Sequence, residues 1–144
     1  MSRLFAPAGE RGKLNLKFEN KTALVSGSTA GIGFAIALEL ARDGARVFVN
    51  GRTQAWVQAA IVNIRHEIDE SQVEGIAEDL GALAGAENLL RRLPAVDILV
   101  NNLGFFQAKP FEKISDADWQ RMFEINAMSG VRLTPWVSAR YEGT

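Results

Sequence analysis

Ser26-Gly27-Ser28-Thr29-Ala30-Gly31-Ile32-Gly33 joins an apolar run, Thr22-Ala23-Leu24-Val25, to a helix-like run over 32–42. A glycine-rich turn between a strand and a helix is a device for holding phosphate. Free backbone N–H groups at the helix start face the anion, and the helix dipole favours negative charge there. Glycine suits the turn because no Cβ then stands between the backbone and a pyrophosphate, or between helix and strand. The general dinucleotide fingerprint is Gly-x-Gly-x-x-Gly. Here the spacing is Gly-x-x-x-Gly-x-Gly.

Outward from this turn the chain alternates regularly. The pattern predicts a strand over 21–26 and a helix over 31–43, with Ile32, Ala35, Ile36 and Leu40 at helical spacing and Gly44 as its stop. A second strand covers 45–50. Thr53 then caps a long amphipathic helix to about residue 70, carrying Trp56, Val57, Ala60, Ile61, Ile64 and Ile68. A strand over 73–77, a helix over 82–92 and a strand over 96–100 follow. Strand and helix in strict alternation imply an α/β fold, a doubly wound parallel sheet with right-handed crossovers. Ligands of such sheets lie beyond the carboxyl ends of the strands. The residues to interrogate are therefore Gly27 to Gly33, Asn50 to Thr53, Asp79-Leu80 and Asn101 to Gly104.

The end of the second strand speaks to cofactor choice. An acid about 20 positions past the glycines binds the ribose 2′-OH of NAD, whereas an arginine accommodates the 2′-phosphate of NADP. The corresponding stretch is Asn50-Gly51-Arg52, with no acid. A guanidinium binds phosphate bidentately and a carboxylate repels it, so the reading is NADP, with NAD less favoured. The missing acid also argues against a methyltransferase. The alternative for Arg52 is a solvated turn residue.

Composition adds bounds. The 144 residues, 47% apolar and 23% charged, suit one globular domain. A net charge of −1 predicts no attraction to nucleic acid or acidic membrane. There is no cysteine, hence no disulfide or thiolate chemistry, and the lone His66 reads as a surface residue rather than a metal ligand. Residues 1–13, with Pro7, Gly9 and Gly12, read as a loose leader without a signal peptide. With no run of 18 apolar residues, the expectation is a cytoplasmic protein.

The turn, with Gly27, Gly31, Ile32 and Gly33 in place and Ser26 for threonine, resembles the Thr-Gly-x-x-x-Gly-Ile-Gly of the short-chain dehydrogenase/reductase family. Asn101-Asn102-Leu103-Gly104 is similar to that family's Asn-Asn-Ala-Gly, with Leu103 departing from it. The resemblance implies a Rossmann-type domain over 14–144, with strands in the family's sheet order 3-2-1-4-5-6-7, of which about the first four fall in this chain. It implies cofactor contacts at Gly27, Ser28, Thr29, Gly31, Ile32, Gly33, Arg52, Asp79, Leu80, Asn101 and Gly104. Asp79 would meet the adenine edge, although by itself it suits a helix cap. Leu103, larger than alanine, would crowd the site. Ser115 and Asp118 resemble a capping box for a helix carrying Trp119, Met122, Phe123, Ile125 and Asn126. The resemblance makes Asn126 catalytic, bending that helix and holding a water in a proton relay. A purely structural bond is the alternative.

The resemblance runs over about 14–133 and then lapses. In the family a serine and a Tyr-x-x-x-Lys complete the chemistry; here the one tyrosine, Tyr141, has no Lys four residues on, and Ser138 stands too close to it. Pro135 should break the last helix. The expectation is thus an incomplete sheet of about four strands, a truncated member that is inactive alone. Its relatives' reaction is NAD(P)(H)-dependent hydride transfer with a small carbonyl or alcohol. The alternatives are a non-catalytic dinucleotide-binding fragment and a nucleotide-sensing module. The fourth strand should form an exposed apolar edge, and the helices around 115–137 should form a homo-oligomer contact.

Overall fold

The computed structural model describes residues 17–138. The leader over 1–13, the short lead-in after it, and Tyr141 lie outside the described residues. Four parallel strands form one sheet in the order β3-β2-β1-β4: β1 Thr22–Val25, β2 Arg46–Gly51, β3 Val73–Ala77 and β4 Ile98–Val100. Helices α1 (Gly31–Arg42), α2 (Gln54–Glu67) and α3 (Leu83–Arg92) connect them. After β4 come α4 (Asp116–Phe123), a π-helical segment (Glu124–Met128) and α5 (Ser129–Ser138). The observed order is that of the first four strands of the expected one.

Both faces of the sheet are covered, which is why its strands are apolar throughout rather than alternating. Ala23, Val25, Val47 and Val49 face one way, onto Ala37 and Ala41 of α1 and Val57, Ile61 and Ile64 of α2. Leu24, Phe48 and Ile76 face the other way, onto Leu80, Ala86 and Leu89, with Leu133 of α5 closing that side. All three β4 residues stay half-buried, as an edge strand requires.

Four local expectations shift. The stripe Ile32, Ala35, Ile36 and Leu40 is not the buried side of α1; Gly33, Ala37 and Ala41 are. A helix that must lie close against a sheet turns its smallest residues inward, so the larger apolar ones line a shallow groove of about 430 Å³ beside Phe18. Helix α2 stops at Glu67, not near 70, because Ile68 is extended and its carbonyl accepts the Ser71 N–H in a turn at 3.1 Å. Strand β4 starts at Ile98 rather than 96. Just before it, the Asp97 carboxylate takes the Thr22 N–H at 2.9 Å. Finally, α5 passes through Pro135 instead of breaking there. Proline costs a helix about 3 kcal/mol; here buried Leu133 and half-buried Val137, on either side of it, hold the helix to the core.

One close approach gives a test. A Cβ at Gly85 would lie 2.0 Å from the Asp79 carbonyl oxygen. Helix propensity favours alanine there by up to about 1 kcal/mol, but backbone cannot swing aside as a side chain can. Gly85→Ala should therefore lower stability by about 1–3 kcal/mol, read as a lower urea midpoint. An unchanged or higher midpoint would show that α3 can retreat from the Asp79 backbone.

Candidate functional site

The glycine turn sits beyond the carboxyl end of β1, with Gly27 and Gly31 both left-handed at φ +59° and +60°. Helix α1 starts with Ala30 at the cap position, which offers no side-chain acceptor, and its first turn has no acid. The first N–H groups of a helix lack intrahelical partners, so this end presents free donors and a positive dipole. A Cβ at Gly31 would meet nothing within 4 Å, and Ile32 is 77% exposed. The donor set and open backbone fit a pyrophosphate. Thr29 lies against β2, where a Cβ at Gly51 would come 2.4 Å from its methyl.

Buried side chains fix the shape of the turn. Ser28 Oγ donates to the Val25 carbonyl at 2.7 Å and accepts the Asn50 N–H at 2.9 Å. Its hydroxyl thus faces inward, and Ser28 can offer a ligand only backbone. Asn50, 1% exposed, accepts the Gly27 N–H at 3.2 Å and donates to the carbonyls of Ile76 and Glu78, both at 3.1 Å. Asn102 donates to the carbonyls of Ser26 (3.1 Å) and Gly27 (3.0 Å). Ser26 Oγ in return accepts the N–H groups of Asn102 and Leu103, both at 3.0 Å. Gly33 must be glycine because a Cβ there would lie 2.3 Å from Asn102 Nδ2.

Next to the turn, a cleft of about 490 Å³ opens between the ends of β2, β3 and β4 and the π segment. Arg52, Asp79, Leu103, Gly104, Arg121 and Ile125 line it. The Arg52 guanidinium lies 5.7 Å from the Trp56 ring centre, and Trp56, placed in the helix's apolar set by its spacing, is 53% exposed. Asp79 is not the cap of α3, which is Ala82; its carboxylate accepts the Gly81 N–H at 3.0 Å in a local turn. Leu103 packs on the core and against Gly27, where a Cβ would sit 3.3 Å from Leu103 Cδ1, so turn and cleft adjoin.

Asn126 grips the backbone of Phe105 at both ends. Its Oδ1 accepts the Phe105 N–H at 2.7 Å and its Nδ2 donates to the Phe105 carbonyl at 2.9 Å. It does so from within the π-helical segment, a distortion that often marks functional positions. The structure therefore brings together Gly27, Gly31, Ile32 and Gly33 with Arg52, Asp79 and Gly104. Two of the other expected residues lie apart from the opening: the Leu80 side chain is in the core, and Asn101 turns to Thr134 of α5 at 3.4 Å. Asn50 and Asn102 fall in the stretches singled out at the strand ends but were not among the expected cofactor contacts, and Arg121 lay outside those stretches. A polar side chain ending the apolar run of β2 was the available signal for Asn50.

Beyond the cleft, the Ser115–Asp118 capping box is complete. Lys109 donates to both Asp118 oxygens at 2.7 and 2.8 Å. Chiefly through Lys109, and then Ser115, the Asp118 carboxyl is held well below the ordinary carboxylate range.

An uncapped helix N-terminus at a glycine turn, opening onto a cleft at the strand ends, defines a dinucleotide-binding α/β domain. The sequence pattern of the short chain dehydrogenases matches residues 21–142, and the chain belongs to that family, whose members are oxidoreductases that bind nicotinamide dinucleotides. It is 49% identical to the uncharacterized oxidoreductase YvaG of Bacillus subtilis over 122 residues, 85% of this chain and 46% of the relative. With YvrD of the same organism the identity is 39%, over 83% and 45% of the two chains. The L-sorbose reductase of Gluconobacter frateurii, solved with NADPH and L-sorbose, superposes with a TM-score of 0.80 at 27% identity, covering 88% of this chain and 51% of that one. The chain spans about half the length of the curated relatives it matches.

The Asp118 geometry predicts an acid response. A carboxyl whose folded value is depressed stabilises fully above its unfolded value, near 3.8, and loses that contribution as pH falls through the folded value. The start of α4 should keep its order from pH 7 to pH 4 and lose it only in stronger acid. NMR titration of the Asp118 side-chain carbonyl checks this, and a midpoint at the ordinary value would contradict it.

Proposed function

We propose that this chain binds NADP(H) and is the dinucleotide-binding half of an oxidoreductase acting on a small carbonyl or alcohol. The observation that carries the reading is the uncapped start of α1 together with Arg52, rather than an acid, at the end of β2. The backbone of Gly27, Ser28, Thr29, Gly31, Ile32 and Gly33 would hold the pyrophosphate. Arg52, already leaning on Trp56, would take the 2′-phosphate. Asp79 and the Leu80 backbone would meet the adenine edge, with Asn101 and Gly104 lining the way toward the nicotinamide. When bound, the cofactor supplies the hydride acceptor or donor. Asn126, which binds the Phe105 backbone, would hold the wall of the cleft and serve in the proton relay. The L-sorbose reductase relative, solved with NADPH, supports the cofactor choice.

The 144 residues contain no Tyr-x-x-x-Lys. A second reading of these residues is dinucleotide binding without turnover. The proposal includes a cytoplasmic location; among the described residues no helix is long and apolar enough to cross a membrane. It also includes a homo-oligomer through α4 and α5, where Trp119, Phe123, Val131 and Trp136 are exposed. Sedimentation of the 144-residue chain should give a dimer or larger, and a monomer at all concentrations would remove that part.

For the cofactor, calorimetric titration with NADPH and NADH is the direct measurement. Arg52→Ala should weaken NADPH binding by about 10–100-fold, the worth of charge-assisted hydrogen bonds, and leave NADH nearly unchanged. Equal losses for the two would assign Arg52 no part in the choice.

A further inference from the structure

Two arginines face the cleft, and only Arg52 has a role so far. Arg121 reaches it from α4, with its guanidinium 4.4 Å from the centre of the Phe105 ring. The backbone that carries the ring is held in place, because Asn126 binds both the N–H and the carbonyl of Phe105. A guanidinium laid on an aromatic ring keeps its other face and its edge N–H donors open. The carboxylates nearby are committed elsewhere: Glu124 pairs with Arg132, and Asp79 binds the Gly81 N–H. Among the described residues Arg121 makes no ion pair. The cleft thus holds a planar cation, set against an aromatic ring on an anchored backbone and without a counter-charge of its own.

We propose that Arg121, stacked on Phe105, is the platform for the adenine of the cofactor, acting on NADPH and NADH alike, while Arg52 tells them apart. The inference rests on the dinucleotide reading above. A flat cation presents a stacking face to the π-face of a base, and a contact made with the base is shared by NADPH and NADH. Setting the cation against a ring on an anchored backbone lowers the ordering cost of binding.

The test compares wild type with Arg121→Ala and Arg121→Lys, titrating each with NADPH, NADH and ADP and checking folding by circular dichroism. Arg121→Ala should weaken all three ligands by about tenfold, in the range of a base-stacking contact. Arg121→Lys, which keeps the charge and loses the plane, should be nearly as weak while staying folded. If wild type binds and both variants match it, the platform is overturned and the dinucleotide reading survives. Loss confined to NADPH, or full rescue by lysine, also overturns it, in favour of simple charge. If wild type binds none of the three ligands, the dinucleotide reading itself falls and the platform with it.

Discussion

The hydrogen bonds of buried Ser26, Ser28 and Asn50 and of half-buried Asn102 are what the rest of the architecture depends on. A buried polar group without a partner costs about 1–3 kcal/mol, so these side chains tolerate one arrangement of their neighbours. Asn50 ties the glycine turn to β2 and to the end of β3. Asn102 and Ser26 tie the same turn to the end of β4. Three strand ends are thereby held to one loop, and the cleft beside it inherits its shape from bonds that lie underneath. The residues nearest a ligand are mostly backbone, and the side chains that specify them point away from it.

Such a layout makes smallness a requirement. Gly33 yields to Asn102, Gly51 to Thr29 and Gly85 to the Asp79 backbone. Helix α1 lies on the sheet through Gly33, Ala37 and Ala41, which brings its N-terminus up to the turn. Larger apolar residues on that face would lift the helix away and move its free N–H groups with it. The outward position of Ile36 and Leu40 is the counterpart of that close seating.

The strands were legible because a doubly covered parallel sheet writes itself as short apolar runs at regular spacing. Their order came from the resemblance of the glycine turn to a known family. The turn was legible because few other structures need glycine at those intervals. What periodicity could not tell was which of two apolar stripes on α1 faces inward, since small and large apolar residues alternate around it. Pro135 misled for a related reason: intrinsic propensity opposes a helix there, whereas tertiary packing of Leu133 and Val137 decides. The expected cofactor residues were chosen by position along the chain, which marks the strand ends correctly but not the direction of each side chain. Hence Ser28, Leu80 and Asn101 proved to face inward or toward α5, and Arg121, distant in sequence, went unforeseen.

The placement of β4 beside β1 also governs how the protein comes to its shape. Strand β1 meets β2 across a short helix, but the Thr22–Asp97 bond that anchors β4 joins residues 75 apart. Closing so long a loop is entropically expensive and slow compared with local pairing. The β1-α1-β2-α2-β3 unit, with Asn50 at its centre, is therefore the part that assembles by near-neighbour contacts. The bonds of Asn102 and Ser26 to the turn, by contrast, depend on the distant pairing of β4 with β1.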